Sequence, residues 1–142
     1  MFINTPFNYT GSKFKLLPQT SPLFDYTKST LVDMFGGSGV VAANHFGRFK
    51  TVIYNDIIPE LVECHRKIKT DVNTFIDEII RISPNDADDY DKLRKSFNDE
   101  KTAEKFFSLI ASCTNNMMRF NKSFRFNQTY GKRKFNDNMK KK

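Results

Sequence analysis

One pattern constrains this chain more than any other: an apolar run ends in glycines and leads into a helix and a second apolar run. The first run covers residues 29–35 and is closed by residues 36–39, which read Gly-Gly-Ser-Gly. An apolar run closed by glycine is typical of a buried strand. We expect a helix from residue 40 to near residue 47 and a second strand over residues 51–54. Strand, helix and strand in this order indicate an α/β fold.

The glycine turn and an aspartate beyond it make up the strongest chemical motif. Residues 37–42 read Gly-x-Gly-x-x-Ala, and Asp56 lies 19 residues after Gly37, at the end of the second predicted strand. Glycines allow the backbone to approach a ligand closely, and a helix N-terminus offers free N–H groups. A carboxylate at the end of the second strand can accept both ribose hydroxyls. The motif predicts an adenosine-ribose site and leaves NAD, FAD and S-adenosylmethionine open. The simpler alternative is a tight turn between strand and helix.

Beyond the second predicted strand the patterns are helical. Pro59 is suited to the first position of a helix, and apolar residues follow it at helical spacing. A further helix is predicted after Asp71 and ends at Ser83. Residues 86–91 form an acidic helix start, and an apolar stripe over residues 99–111 predicts another helix. An α/β beginning therefore gives way to helices.

The basic charge of the chain is concentrated at one end. The chain has 23 Lys or Arg, 16 Asp or Glu and a formal net charge of +7. Residues 1–111 contain 14 basic and 15 acidic side chains, whereas residues 112–142 contain nine and one. This asymmetry predicts a polyanionic partner for the C-terminal end.

The same end mixes aromatic side chains with Arg, Lys, Asn and Gln. Arg is the usual bidentate reader of guanine, Asn or Gln of adenine, and Lys holds phosphates, so the composition suits DNA contact. The alternative is a solvated hairpin. Asp137 is the one acidic residue after Glu104, so the basic side chains of this end have almost no acidic neighbours in the sequence. This favours DNA contact over a solvated hairpin.

Four separated blocks carry a family resemblance: residues 6–13 (Pro-Phe-Asn-Tyr-Thr-Gly-Ser-Lys), residues 32–39 (Val-Asp-Met-Phe-Gly-Gly-Ser-Gly), residues 54–57 (Tyr-Asn-Asp-Ile), and residues 116–121 (Asn-Met-Met-Arg-Phe-Asn) followed by residues 126–133. With these blocks in the family's order, the chain resembles the Dam-type, phage-like DNA adenine-N6 methyltransferases from Pro6 to Arg133.

The resemblance implies an incomplete Rossmann-like methyltransferase sheet with an inserted DNA target-recognition region, made of a helical bundle and a β-hairpin. Residues 1–70 are then the N-terminal part of the cofactor domain, residues 71–135 the recognition region and residues 136–142 a basic tail. The implied cofactor is S-adenosylmethionine, with Lys13 near its methionine carboxylate and Asp33 near its amino group. The implied cofactor contacts are Tyr9, Gly11, Lys13, Asp33, Phe35, Gly36, Gly37, Gly39 and Asp56.

The resemblance also implies a partner, double-stranded DNA, whose major groove the family reads, commonly at GATC sites. The function implied is a site-specific, adenine-specific DNA methyltransferase. The DNA-reading candidates are Met117, Arg119, Asn121, Asn127, Gln128, Lys132 and Arg133.

The chain departs from the family at the catalytic motif. Adenine-N6 transfer uses Asp-Pro-Pro-Tyr, whose carboxylate and proline carbonyl accept hydrogen bonds from the target amine while the tyrosine stacks on the flipped base. No Pro-Pro occurs in this sequence, and residues 4–7, Asn-Thr-Pro-Phe, adjoin the first cofactor block instead. We therefore expect the N-terminal half of a methyltransferase, inactive alone, with a second chain completing it or a homo-oligomer covering the sheet edge. The alternatives are a truncated, non-catalytic binder of DNA or S-adenosylmethionine, and a nicotinamide oxidoreductase fragment.

Other features predict what the chain does not do. No run approaches the ~18 apolar residues of a membrane span, and the N-terminus lacks a signal peptide's regions, so a cytoplasmic location is expected. Cys64 and Cys113 lack metal-type spacing and are expected as buried thiols. Structural roles are expected for His45 and His65, and no metal site is predicted.

Overall fold

The computed structural model describes residues 1–7 and 9–136, which divide into two units. The first unit is Met1–Ile58, and the second begins at Pro59. The predicted basic tail lies outside the described residues except for Asn136. No helix in the described ranges has the length and apolar character needed to cross a membrane.

The first unit contains a parallel pair of strands, β1 (Thr30–Asp33) and β2 (Thr51–Tyr54). The short helix α1 (Leu17–Thr20) precedes the strands, and α2 (Val40–His45) connects them. The order strand, glycine turn, helix and strand is the one that the sequence predicts. The mixed α/β class of the fold is therefore confirmed.

The prediction that the first strand is buried is wrong. Side chains along β1 and β2 alternate between exposed and half-buried. Val32 and Ile53 are paired in register, so they lie on the same side of the sheet, and they are 46% and 48% exposed. The strands contact α2, but no described residue of this unit buries the side with Val32 and Ile53.

The core of the first unit lies around α1 and α2, where Leu17, Val40 and His45 are almost fully buried. His45 satisfies both ring nitrogens: Nδ1 lies 2.8 Å from the Val41 carbonyl and Nε2 lies 3.1 Å from the Ser21 hydroxyl. The structural role expected for His45 is confirmed, because a buried imidazole with two partners links α2 to the segment after α1.

The second unit begins with four helices: α3 (Pro59–Thr70), α4 (Val72–Ile82), α5 (Ala87–Asp99) and α6 (Ala103–Ser112). The sequence predicts all four. Side chains cap the N-termini of the last three, where Asp71, Asp86 and Thr102 accept hydrogen bonds from the backbone N–H three residues later. The cap at Thr102 explains why the fourth helix begins after residue 99.

Helix α6 forms the centre of the second unit. All its residues from Phe106 to Ser112 are buried, and the helix contacts α3, α4 and α5. A helix that is apolar nearly all round requires such enclosure. Cys64 of α3 is fully buried, and its thiol lies 3.4 Å from the Ala103 carbonyl. Because α3 packs on α6, the division between units precedes α3, whereas the predicted boundary at residue 70 follows it; the roles assigned to residues 1–70 and 71–135 remain predictions.

The segment after α6 folds as an irregular loop, residues 113–136. The β-hairpin implied by the resemblance is present only as isolated antiparallel bridges, which pair Cys113 with Tyr130 and Phe120 with Phe126. Phe126 is buried, and its ring meets those of Phe97 and Phe120 edge-on. Burial raises the pKa of the Cys113 thiol to about 11, in agreement with the predicted buried thiol.

Candidate functional site

Asp56 and the glycine turn meet in the first unit. The Gly37 N–H donates to Asp56 Oδ2 at 2.8 Å, and the Ile58 N–H donates to Oδ1 at 3.0 Å. Gly37 and Gly39 have φ values of +50° and +73°, a region that favours glycine. Each carboxylate oxygen thus accepts one backbone proton and retains capacity for another donor, such as a ribose hydroxyl.

Tyr54 also holds the glycine turn, a role that the sequence did not predict. Its hydroxyl donates to the Gly37 carbonyl at 2.6 Å. A Cβ at Gly36 would overlap the Tyr54 ring, so any larger residue there would displace that ring. The Gly37 residue is therefore fixed at its N–H by Asp56 and at its carbonyl by Tyr54. Tyr54 directly precedes Asn55-Asp56, but an aromatic residue at a strand end reads as core.

The first sequence block also reaches the turn, through Tyr9. A Cβ at Gly37 would lie 3.1 Å from Tyr9 Cε1. Burial and the negative charge of Asp56 raise the pKa of Tyr9. The ring of Tyr9 thus forms a wall beside the carboxylate.

Asp33, at the end of β1, carries an unsatisfied buried atom. Its Oδ2 is buried and has no hydrogen-bond partner among the described residues. Burial raises the pKa of Asp33, and the neighbouring charge of Asp56 raises it further. A carboxylate oxygen in this position is destabilising until a cation or donor reaches it. The site therefore suits a ligand with a positive group.

The remaining predicted cofactor residues are accessible. Lys13 is exposed, and its Nζ donates to the Gly11 carbonyl at 3.1 Å. Phe35 is 93% exposed. The structure thus gathers Tyr9, Asp33, Gly36, Gly37, Gly39 and Asp56 around one turn, while Gly11, Lys13 and Phe35 stay open to solvent.

In the second unit, one face of α5 anchors the irregular loop of residues 113–136, the basic loop. Tyr90, Arg94 and Asn98 are spaced four residues apart, so they lie on one side of the helix. The Tyr90 hydroxyl and the Arg94 guanidinium donate to the Gln128 carbonyl at 3.0 and 3.3 Å. The Asn98 amide pairs with both backbone groups of Phe126, accepting at 2.7 Å and donating at 2.9 Å. The i, i+4, i+8 spacing of these three polar residues is the signal in the sequence for this anchor, and it is not among the predictions above.

Close backbone packing fixes the far side of the loop. The Gly131 N–H donates to the Ser112 carbonyl at 2.8 Å. A Cβ at Gly131 would lie 2.5 Å from the Cys113 carbonyl oxygen, which is backbone and cannot rotate away. Glycine is therefore required where the loop returns to the end of α6.

Several of the predicted DNA-reading residues are accessible on this loop. Arg119, Asn121 and Lys132 are exposed, and Met117 is 41% exposed. The side-chain Oδ1 of Asn121 accepts the N–H groups of Ser123 and Arg125, both at 3.0 Å, and so closes a turn.

Two of the predicted readers are tied into the loop itself. Gln128 is 8% exposed; its Nε2 donates to the Thr114 carbonyl at 3.3 Å and its Oε1 accepts the Thr129 N–H at 3.2 Å. Its amide is therefore used inside the loop, and its role as a DNA-reading residue remains a prediction. Arg133 is exposed, but its Nη1 donates to Asn116 Oδ1 at 2.6 Å.

Asn127 lies in a cleft between α5 and the loop. Its Oδ1 is buried without a partner among the described residues. Arg94 is paired with Asp91 at 2.9 Å and Arg125 with Asp99 at 3.3 Å, whereas Lys95 is exposed. Lys95 carries no signal of its own in the sequence, because it lies on a helix with mixed charges. The cleft is lined by Asp91, Arg94, Lys95, Asn98, Asn121, Arg125, Phe126 and Asn127.

Comparison with known proteins identifies the family. Residues 9–142 match the D12 class N6 adenine-specific DNA methyltransferases. Modification methylase StsI of Streptococcus sanguinis is 32% identical over 98% of this chain, and modification methylase LlaI of Lactococcus lactis subsp. lactis is 31% identical over 96%. A DNA adenine methylase of Haemophilus influenzae is 30% identical over 87%. This chain belongs to the D12 class N6 adenine-specific DNA methyltransferase family.

The relatives are longer than this chain. The aligned part spans 22% of StsI, 23% of LlaI and 45% of the Haemophilus protein. Family membership confirms the resemblance drawn from the four sequence blocks, and it removes the support for a nicotinamide oxidoreductase.

Proposed function

We propose that this chain binds S-adenosylmethionine through its first unit and duplex DNA through its second unit, as part of an adenine-N6 DNA methyltransferase. The contact between Asp56 and the Gly37 N–H, at 2.8 Å, carries the proposal, since it joins the carboxylate to the glycine turn within a chain of this family. A GATC-like target belongs to the same proposal.

The residues around the turn fit the cofactor. Asp56 can accept ribose hydroxyls with its remaining lone pairs, and the unpartnered Oδ2 of Asp33 offers an anionic contact for the amino group. The Tyr9 ring lies beside the glycine turn, and we assign the accessible Lys13 to the methionine carboxylate. When bound, S-adenosylmethionine supplies a methyl group on a sulfonium, which is activated for transfer.

The loop fits the chemistry of duplex DNA. Between Ser112 and Asn136 there are six basic residues and no acidic ones. Arg119 is an exposed candidate for a base edge, and Lys132 for a phosphate. Asn121 is also exposed, but its Oδ1 closes the turn, so we assign only its Nδ2 to a base acceptor. We extend the phosphate-binding set to Lys95, because the cleft places it beside Asn127. Gln128 and Arg133 then support the loop.

Methyl transfer requires groups that these residues do not include. The 142 residues contain no Asp-Pro-Pro-Tyr, so we propose that the acceptor amine is held by further polypeptide, in a second chain or a longer form of this one. The exposed side of β1 and β2, with Val32 and Ile53, supports such a partner, since an uncovered apolar strand surface favours association. The second candidate is a binding protein without catalysis, favoured by the missing motif.

Calorimetry with two ligands tests the cofactor assignment. The chain is titrated with S-adenosylhomocysteine and, separately, with NAD. We expect saturable heat with S-adenosylhomocysteine alone. Heat with NAD alone would overturn the proposal.

A transfer assay tests whether the chain needs further polypeptide for catalysis. Labelled methyl incorporation into duplex DNA is measured for the chain alone. We expect none above background, because the carboxylate and proline carbonyl that hold the target amine are missing. Appreciable turnover would show that other residues of this chain perform their role.

A further inference from the structure

The tip of the basic loop carries an exposed aromatic side chain on a strained backbone. Phe124 is 70% exposed and has φ of +52°. For residues with a Cβ, this left-handed region is strained, and a bulky side chain there is uncommon. Glycine would adopt the same φ without strain. The turn therefore does not need a phenyl group for its own stability.

Phe124 also differs from the two aromatic residues beside it. Phe126 is buried, and its ring packs edge-on against Phe120 at a centroid distance of 5.6 Å. Those two rings belong to the core beneath the loop, whereas the ring of Phe124 remains accessible. Core packing thus accounts for two of the three rings and not for the third.

The turn that presents Phe124 is well defined. Besides the two hydrogen bonds to the Asn121 side chain, the Phe124 N–H donates to the Asn121 carbonyl at 3.0 Å, and the Asn121 N–H donates to the Arg125 carbonyl at 2.9 Å. Side chain and backbone of one asparagine thus tie the turn together. A ring held on such a turn loses little conformational freedom when it meets a partner.

The charges around the ring select its partner. Lys122 and Arg125 flank Phe124 in sequence and are exposed, as is Arg119. Arg125 forms an ion pair with Asp99 at 3.3 Å. An apolar group framed by cations suits the groove of a nucleic acid, where phosphates border the base edges.

We propose that Phe124 is an apolar contact residue for duplex DNA and packs against the C5-methyl group of a thymine at the base edges. The assignment rests on the proposed DNA binding by this loop. Thymine presents the one methyl group among the four bases, and a phenyl ring is a complementary surface for it. Lys122 and Arg125 would meet the phosphates on either side of that base. The loop then combines polar reading by Arg119 with apolar reading at its tip.

Replacement of Phe124 by glycine separates stability from recognition. Because glycine removes the strain at φ +52°, we expect the midpoint of thermal unfolding of Phe124→Gly to stay the same or rise. Affinity for duplex DNA, measured by fluorescence anisotropy, should fall about tenfold, within the range for one good base-edge contact. A residue needed only for folding would lower the unfolding midpoint instead.

A second duplex locates the contact. In this duplex every thymine is replaced by deoxyuridine, which lacks the methyl group. The unsubstituted chain should bind it more weakly than the thymine duplex, whereas Phe124→Gly should lose no further affinity. Phe46→Ala, which removes a ring 73% exposed in the first unit, serves as the matched control and should bind both duplexes like the unsubstituted chain.

The outcomes distinguish this inference from the function on which it rests. Binding by the unsubstituted chain together with equal binding by Phe124→Gly overturns the inference alone. An equal loss on the deoxyuridine duplex for both forms overturns the thymine contact. If Phe124→Gly abolishes self-association on size exclusion and leaves DNA affinity unchanged, the ring serves a second copy and the inference is wrong. Failure of the unsubstituted chain to bind any duplex overturns both proposals.

Discussion

The two units hold their candidate residues by different means. In the first unit, positive φ values at Gly37 and Gly39 and two backbone N–H groups position the carboxylate of Asp56. In the second, an irregular loop obtains its shape from side chains on α5 that bond its backbone. The contacts of the first arrangement span at most 19 positions of the sequence, whereas those of the second join residues more than 25 positions apart.

This difference has a physical consequence for how each site tolerates change. A glycine turn fails when its backbone cannot adopt the required conformation, whereas an anchored loop fails when buried polar groups lose their partners. Substitutions in one unit should therefore affect the ligand of that unit more than the ligand of the other.

The largest effect is expected from alanine at the two packed glycines. Gly131→Ala places a Cβ 2.5 Å from a backbone oxygen, so the loop must move; we expect it to lower the free energy of unfolding by about 3 kcal/mol. Gly36→Ala meets the Tyr54 ring, which can rotate in part, and should cost about 1–2 kcal/mol. Urea denaturation measures both. If Gly36→Ala costs more, the contrast between the units is wrong.

The next largest effect concerns the carboxylate at the turn. Asp56→Asn removes the charge that receives the Gly37 and Ile58 N–H groups and the proposed ribose hydroxyls. Affinity for S-adenosylhomocysteine should fall by about 10- to 100-fold, the range for hydrogen bonds to a charged group. Calorimetry measures this loss. Asp77→Asn, at an exposed position of α4, is the control and should bind normally.

Substitutions in the loop separate recognition of the bases from general attraction to the phosphates. Arg119→Ala should reduce discrimination between DNA sequences by about 1–3 kcal/mol. Lys132→Ala should weaken all sequences alike and reduce the slope of log affinity against log salt by about 0.9. Gel shifts over a salt series measure both, and Lys50→Ala, a charge-matched change in the first unit, should alter neither. Equal sequence preference in Arg119→Ala and the unsubstituted chain would contradict the reading role.

The smallest effect expected is a pH dependence at Asp33. Burial raises the pKa of this carboxyl in the folded chain above its usual value. The folded state therefore binds the proton of the Asp33 carboxyl more tightly than the unfolded state does. The stability that this proton contributes is fully present below the pKa of the unfolded state. It is lost as the pH rises through the pKa of the folded state. Compared with Asp33→Asn, the unsubstituted chain should gain stability as the pH falls from 7 towards 4. Thermal unfolding across this range measures the difference, and parallel curves would show that Asp33 is not strained.

The sequence predicts the glycine turn well because its determinants are local. An apolar run, Gly37, Gly39 and Asp56 specify a strand, a turn and a carboxylate whose contacts follow from backbone geometry. The bounds of β2 agree with residues 51–54 as predicted. Tyr54 was missed because its hydrogen bond to Gly37 depends on the side-chain direction at the end of β2.

The loop is less predictable because its structure depends on distant residues. Charge and composition indicate a DNA-binding segment, but not which side chains remain available. Gln128 is predicted to contact adenine. Its side-chain amide instead donates to the Thr114 carbonyl, and its backbone carbonyl accepts from Tyr90 and Arg94. The apolar run over residues 29–35 likewise cannot reveal that one side of the strand stays accessible.

The most direct test of the central claim is a ¹⁵N–¹H correlation spectrum of the chain during titration with S-adenosylhomocysteine. We expect saturable shifts at the amides of Gly37 and Ile58, which donate to the Asp56 carboxylate, and at that of Gly39 in the same turn. Amides of the second unit, such as Phe126 and Gly131, should shift far less. Shifts confined to the second unit, or a spectrum unchanged at saturating ligand, would contradict the cofactor site described for the glycine turn.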